Sequence, residues 1–413
     1  IMKNYPRTRP PGKAGEPPPV PEQVKKVFPF APPKKREAPP PAPAVEEKPH
    51  VPQGKEFPCE NCGAQLEFDP SAASLTCQYC GHIQDIPQSA DEIREHSYEK
   101  YFETGQVAEE VVQGVEAETR CPGCGAQVML PAGIKTSKCP FCAASLTNPI
   151  ESAKPMLKPE AVLPFAITEK AARIQFHEWV KSRWFAPNAL KDVERLDQIH
   201  GIYVPFWTYD AMTFNFYYGQ RGDTYTERVG FGKNRRTETR IRWTPVSGSF
   251  RHFFDDVLVC ASKSLPMKHL RKLEPWDLKS VKKFDYGYLS GFKTERYQLS
   301  TREGFEQAKL RMKNELEQMV RNRIGGDQQR IDSINSEYSG LTFKLILLPI
   351  WLAAYRYGDE TYRILVNASS GEVQGERPWS WTKIALASAA ALIVGAVILW
   401  FCWPAITDII SAF

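Results

Sequence analysis

The sequence predicts an α+β protein in which two copies of a four-cysteine module precede a mixed domain and one long apolar helix closes the chain. Three observations carry this. Four Cys-x-x-Cys pairs recur at one spacing. Helix-like and strand-like runs between residues 155 and 380 are segregated rather than strictly alternating, which argues against a βαβ sheet. An uncharged run of twenty residues lies near the C-terminus. Length, at 413 residues, allows two or three domains, and a net charge of +5 opposes a strongly cationic nucleic-acid coat protein.

Residues 1–54 come first. Sixteen of the 34 prolines fall before residue 53, in runs such as PPPVPEQ and PPPAPAVEEKP. Proline fixes φ and lacks an N–H, so this stretch is expected to be a disordered arm with polyproline-II character. Ten Lys/Arg against five Asp/Glu make it mildly basic. It suits a solvated spacer better than a ligand for SH3-like grooves or a tether to anionic lipid. No apolar h-region occurs in it, so no signal peptide is expected.

The cysteine modules follow, over 55–84 and 118–148. Cys59-Glu-Asn-Cys62 is followed after fourteen residues by Cys77-Gln-Tyr-Cys80, and Cys121-Pro-Gly-Cys124 after fourteen by Cys139-Pro-Phe-Cys142. Cys62-Gly-Ala-Gln recurs as Cys124-Gly-Ala-Gln, and each copy runs through an apolar stretch to Pro70 or Pro131. This is an internal repeat. A two-residue gap lets a tight turn present both thiolates to one ion, and two such knuckles joined by a hairpin complete a tetrahedron. Gly63, Gly81 and Gly125 follow a second cysteine, where the turn requires freedom from Cβ strain; Ala143 departs from that pattern. Cys59, Cys62, Cys77 and Cys80 are therefore expected to hold one zinc ion, and Cys121, Cys124, Cys139 and Cys142 a second. Four thiolates with no open position make such a site structural rather than hydrolytic. Iron suits four thiolates too. Disulfides would need an oxidising compartment, and a redox pair would not be expected four times over. His82 is a less favoured substitute ligand, expected at the surface.

Residues 85–117 read as an acidic linker, with helix-favouring composition in DEIREHSYEKYFE. Its charge makes a two-ribbon DNA clamp uncomfortable, because phosphate would be repelled.

The α+β domain spans 155–380. Residues 168–184 place Ala172, Phe176, Trp179 and Val180 on one stripe, an amphipathic helix. Residues 302–324 form a longer helix, with Arg311 and Glu315 at i,i+4, stopped by Gly325-Gly326. Strands are expected at Ile202–Tyr218, Arg240–Thr244, Asp256–Ala261, Gly340–Tyr357 and Thr361–Asn367. Gly-Ile-Tyr-Val-Pro-Phe-Trp207 resembles Leu-Ile-Leu-Leu-Pro-Ile-Trp351, and both lead to tyrosines and a glycine turn at Gly219 or Gly358. A duplicated β-unit packed around two tryptophans follows. Residues 233–296 hold fifteen Lys/Arg and seven Asp/Glu interleaved with aromatics. That composition fits a nucleic-acid or anionic-lipid surface, and equally the charged outer faces of strands.

Lys383 precedes IALASAAALIVGAVILWFCW, then Pro404 and a short tail, 404–413. Twenty residues at 1.5 Å each cover roughly 30 Å, a bilayer's hydrocarbon core, so 383–403 is expected to be a transmembrane helix. Trp379, Trp381, Trp400 and Trp403 sit where interfacial aromatics belong, and Arg377 with Lys383 places the N-terminal flank in the cytoplasm. Ala387, Ala391 and Gly395 form a small-residue face that could seat another helix. Leu345–Ala354 is too short and interrupted by Pro349, so it reads as a buried strand.

No phosphate-binding loop, nucleophile elbow, His-Glu-x-x-His or dinucleotide fingerprint occurs, and Cys260 and Cys402 read as small buried hydrophobes. The sequence supports no enzyme, although a site of unfamiliar pattern in the α+β domain is the remaining catalytic reading.

The paired Cys-x-x-Cys motifs, then Tyr203-Val-Pro-Phe-Trp-Thr-Tyr-Asp210, then Tyr362-Arg-Ile-Leu-Val-Asn-Ala-Ser-Ser-Gly371-Glu-Val-Gln-Gly-Glu-Arg-Pro378, resemble bacterial zinc-ribbon membrane proteins of the TFIIB-type or PriA-like description. The resemblance runs over roughly residues 56–404. It implies a scaffold at the cytoplasmic (inner) membrane accompanying membrane-associated SPFH or phage-shock-type proteins, without helicase activity, since no motor motifs are present. The function expected is a tail-anchored, cytosol-facing zinc-ribbon scaffold or adaptor. The alternative is a membrane-tethered nucleic-acid binder using the ribbons and residues 233–296.

Overall fold

The computed structural model describes residues 57–88, 92–103, 111–112, 117–130, 137–142, 144–146, 151–152, 156–187, 199–232, 235–357 and 360–411. The proline-rich arm, Ala143 and Gly358 lie outside them. The elements that matter here are β1 (Leu66–Asp69), β2 (Ser74–Cys77), β3 (His96–Ser97), α1 (Tyr98–Glu103), β4 (Ala117–Arg120), β5 (Gln127–Leu130) and β6 (Ala161–Val162). After them come α2 (Glu169–Lys181), β7 (Ile199–Val229), β8 (Arg236–Cys260), β9 (Lys293–Glu295), α3 (Thr301–Ile324), β10 (Gln328–Tyr357), β11 (Glu360–Asn367), β12 (Val373–Gly375) and α4 (Trp381–Ser411).

A mixed sheet forms the centre. Its order is β4-β5-β9-β7-β10-β6, with β8 paired to β7 and β11 to β10. Mixed helix and sheet content agrees with the α+β expectation. The two Pro-containing strings lie side by side as antiparallel partners, Val204 opposite Leu348, Tyr203 opposite Pro349 and Pro205 opposite Leu347. Each proline occupies a gap in its outer neighbour. On β7 that neighbour changes from β9, ending opposite Tyr203, to β8, starting opposite Phe206. On β10 it changes from β6, opposite Leu347, to β11, starting opposite Ile350. A missing N–H costs no ladder bond at such a place. The carbonyls beside them are used equivalently, Ala261 N–H donating to Pro205 O and Ala368 N–H to Pro349 O.

The equivalence extends to whole units. β6-α2-β7-β8 and β9-α3-β10-β11 follow one plan, and the short first strand of each runs parallel to the long strand of the other. The Trp207 indole N–H donates to Leu299 O (2.9 Å), just ahead of Ser300, the N-cap of α3. Trp351 N–H donates to Ile167 O (2.8 Å), just ahead of Thr168, the N-cap of α2. Each tryptophan thus fixes where the other unit's helix begins.

Alternation sorts the layers. Odd-numbered residues face the helices: Tyr203 and Trp351 share a core with α2, while Trp207, Tyr209 and Phe343 pack on α3. Even-numbered Ile202, Val204, Phe206, Leu348 and Ile350 face a separate core on the opposite side. Both helices match expectation to within three residues. Ser300 and Glu303 form a capping box on α3, and Gly325 and Gly326, both at positive φ, end it. Arg311 and Glu315 do not pair with each other: Arg311 binds Glu274 (3.0 Å) and Glu315 meets His252 (3.4 Å). Neighbouring elements lie within reach of both side chains, so tertiary partners replace the local one.

The strands differ most from expectation. Arg240–Thr244 and Asp256–Ala261, apart from Ala261 itself, belong to one strand, β8, of 25 residues; β7 has 31 and β10 has 30. Beyond Asp210 these three leave the core as an arm, with β7 in the middle. At about 3.3 Å per residue, the arm from 212 to 229 is about 60 Å long. α3 covers the face carrying Thr213, Asn215 and Tyr217, whereas Met212, Phe216, Tyr218 and Phe253 on the other face are exposed. Gly219 is no turn. It lies inside β7, where a Cβ would strike the Arg330 carbonyl and Ile324. In the acidic linker, only Tyr98–Glu103 is helical among the described residues; His96–Ser97 pairs with β10 instead, as Tyr98 and Tyr101 pack on Phe343.

At the root of the arm β7 bulges against both neighbours, around Asp210. Its carboxylate accepts the Asp256 N–H (2.6 Å) and the Thr342 hydroxyl (3.0 Å), and Asp256 sits at φ +49. Lys344 bridges Asp256 (2.7 Å) and Glu95 (2.9 Å). Burial, aided by the charge of Glu95, raises Asp210 to about 6. Between its ordinary value and about 6, the folded chain keeps a proton that the unfolded chain releases, so stability falls as pH rises through that window. Relative to wild type, Asp210→Asn should therefore gain on the order of 2 kcal/mol between pH 4 and 7 and no more above it, read from urea midpoints in detergent.

Candidate metal centres

Each four-cysteine group is gathered by two knuckles. Gly63 and Gly125 sit at φ +74 and Gly81 at +71, the turn geometry expected after a second cysteine. The Gly63, Gly81 and Gly125 amides donate to the carbonyls of Cys59, Cys77 and Cys121. Within each group the ligand atoms lie within 4.8 Å of one another. Sulfur separations are 3.6 Å for Cys59–Cys80 and 3.5 Å for Cys62–Cys77. In the second group they are 3.4 Å for Cys121–Cys142 and 3.7 Å for Cys124–Cys139. A tetrahedron with 2.3 Å metal–sulfur bonds has edges of roughly 3.8 Å, so both groups fit a tetrahedral cation. No disulfide joins any of the eight.

The backbone supplies a second layer that spacing does not reveal. The amides of Ala64, His82, Ala126 and Ala144, each two residues beyond a cysteine, hydrogen-bond the sulfurs of Cys62, Cys80, Cys124 and Cys142. Such donors favour thiolate over thiol. The His82 amide brings Cys80 down to about 6, and the hydrogen bond from Cys139 brings Cys124 to about 5. Their neighbours move the other way. The Ala64 amide lowers Cys62, but bonds shared with Cys77 and Cys80 outweigh it and raise the thiol to about 12. Cys139, bonded to Cys124 and buried, goes well above its usual range. Four crowded sulfurs cannot all ionise unaided; a divalent cation held there would supply the charge that lets them. His82 is not among the ligand atoms of the first group and contributes only main-chain bonds.

Neither module stands free. The first buries Cys59, Leu66, Phe68, Leu75 and Cys77 in the core that contains α2 and Trp351. Ser290 stitches it down, its hydroxyl donating to Leu66 O and its carbonyl accepting the Phe68 N–H (3.1 Å). The second lies on the even-numbered face: Cys121, Val128, Cys139 and Phe141 pack with Val204, Ile350 and Leu365. Its β4-β5 hairpin joins the central sheet through Thr294 opposite Met129. Arg363 donates to Phe141 O (2.9 Å) and to Ser264 O (3.1 Å). Beside this group, burial raises Glu295 to about 7, the negative charge of Cys124 adding to it.

Among other expected features, Cys260 is buried at 2% exposure. In the basic stretch 233–296, four of the described cations have partners on the arm itself. Arg236 and Arg240 pair with Glu238, Arg240 also with Glu227, and Arg242 and Arg251 lie over Tyr225 and Phe214.

α4 is a single helix, and its segment Trp381–Trp400 is long and apolar enough to cross a membrane, with mean hydropathy 2.1 and none of it buried. The helix does not end at Pro404 but continues to Ser411. A single proline removes one hydrogen bond and bends rather than ends a helix whose neighbours propagate it.

A Bacillus subtilis (strain 168) chain named "Uncharacterized protein YdjG" is 27% identical over 344 residues, which cover 80% of this chain and 92% of that one. No family model and no solved structure matches.

Proposed function

We propose that the protein is a membrane-anchored zinc-ribbon scaffold, held by α4 in the cytoplasmic membrane with its bulk in the cytoplasm, whose β-arm presents a protein-interaction surface. Zinc fills both cysteine groups in this reading and takes no part in chemistry, because four sulfurs leave no coordination position for substrate. The observation that carries it is the arm's exposed stripe of Met212, Phe216, Tyr218 and Phe253, opposite the face α3 covers. Apolar side chains gathered on one solvent-facing face of a sheet mark a place where another surface sits. The partners that fit are membrane-associated scaffold proteins, of the SPFH or phage-shock kind that the sequence resemblance implies.

A photocrosslinking amino acid at position 216 of the full chain tests this in its native membranes. Irradiation should give a discrete heavier adduct from position 216 and not from position 310, which is exposed on α3. No adduct from 216, or the same adducts from both, would remove the reading.

A further inference from the structure

Three indoles outside the far end of α4 are more than half exposed: Trp184 (77%), Trp379 (53%) and Trp381 (78%). Far apart in sequence, they are brought together by the start of α4. Lys383 Nζ donates to Ala186 O (2.8 Å) and to Trp184 O (3.4 Å), and the Ser380 N–H donates to Phe185 O (2.8 Å). The shoulder that follows α2 is thus fastened to the first turn of the apolar helix and goes where that helix enters.

The charges there agree. Arg183 lies over the Trp179 ring (4.8 Å) and Arg377 over the Trp379 ring (4.4 Å). Burial holds Arg377 below the usual guanidinium range, and the nearby positive charge of Arg183 lowers it further. No salt bridge joins either arginine to a carboxylate among the described residues. Two neighbouring cations repel, a cost that phosphate oxygens offset, and tryptophan prefers the headgroup region for its amphipathic ring.

We propose that the shoulder Arg183-Trp184-Phe185, together with Arg377, Trp379 and Trp381, rests on an anionic phospholipid surface and forms a second membrane contact beside α4. This rests on the reading of α4 as the anchor. A helix joined to a domain at one point leaves the domain free to pivot; a second contact fixes its tilt and so the direction in which the arm points. Each arginine near an anionic leaflet adds its own attraction to the headgroups, enough to bias a domain that is already tethered.

The test uses the full chain in vesicles of brominated phosphatidylcholine with one third phosphatidylglycerol, since bromine quenches only indoles at the bilayer. In the variant Trp379→Phe, Trp381→Phe, Trp400→Phe, Trp403→Phe, quenching should persist, and it should vanish when Trp184→Phe is added. It should also fall at least twofold without phosphatidylglycerol, or with Arg183→Gln and Arg377→Gln. A fourfold variant that resists alkaline extraction yet shows equal emission in brominated and ordinary lipid overturns the second contact and leaves the anchor standing. Release of wild-type chain by alkali overturns the anchor reading and this proposal with it.

Discussion

Cys139→Ser is expected to lose one of two zinc ions and to open the central sheet, while Cys80→Ser loses the other ion and leaves that sheet closed. Cys139 is 1% exposed in a core shared with Val204 and Ile350, which lie on the two longest strands where these pair inside the central sheet. Structural zinc contributes about 10–16 kcal/mol to the modules it folds. A domain's whole stability is roughly 5–15 kcal/mol. Loss of the second ion therefore exceeds what the remaining contacts can supply. Cys80 is exposed, and its module forms a separate three-stranded sheet that shares no strand with the central sheet and packs on its α2 side through Leu66, Phe68 and Leu75. Metal analysis should give two ions for wild type and one for each variant. Hydrogen exchange at 202–206 and 346–350 should speed up by at least a hundredfold in Cys139→Ser only. Full metal content, or an unchanged exchange rate, in that variant would show that the ion does not hold the core.

The cysteine groups and the apolar helix were legible because each is a local pattern: a two-residue gap repeated at a fixed distance, and twenty residues without charge. The paired tryptophans were legible as a repeated string, but not the exchange between units, since nothing in Val-Pro-Phe-Trp says that Trp207 reaches Leu299. The arm was missed for a physical reason. Over 236–254 only part of one face of β8 is buried, so apolar residues appear as isolated pairs such as Phe253-Phe254 rather than an unbroken alternation. Gly219 read as a turn because close packing against Ile324 and Arg330 leaves the same mark in sequence. The cysteine modules read as separate domains because their metal-binding pattern is self-sufficient; their debt to the sheet lies in scattered residues such as Ser290 and Arg363.

Deleting residues 384–413 is expected to move the chain from the alkali-resistant membrane fraction into solution, with both zinc ions retained. Leu386, Leu392, Ile393, Val394, Ile398 and Leu399 are each more than half exposed along α4. So much apolar surface along one helix is costly to leave in water, and no other described helix is long and apolar enough to cross a bilayer. On an insertion scale each such residue contributes roughly −0.3 to −0.6 kcal/mol, whereas one arginine at the centre costs about 2.5–3.5. Val394→Arg with Val397→Arg should thus abolish stable insertion without shortening the chain. The deletion keeps Lys383 and the shoulder it fastens, so residual binding to anionic vesicles should remain and should wash off with salt, because headgroup attraction is screened and burial in hydrocarbon is not. Continued pelleting of the deletion variant in high salt and alkali would place the anchor elsewhere in the chain.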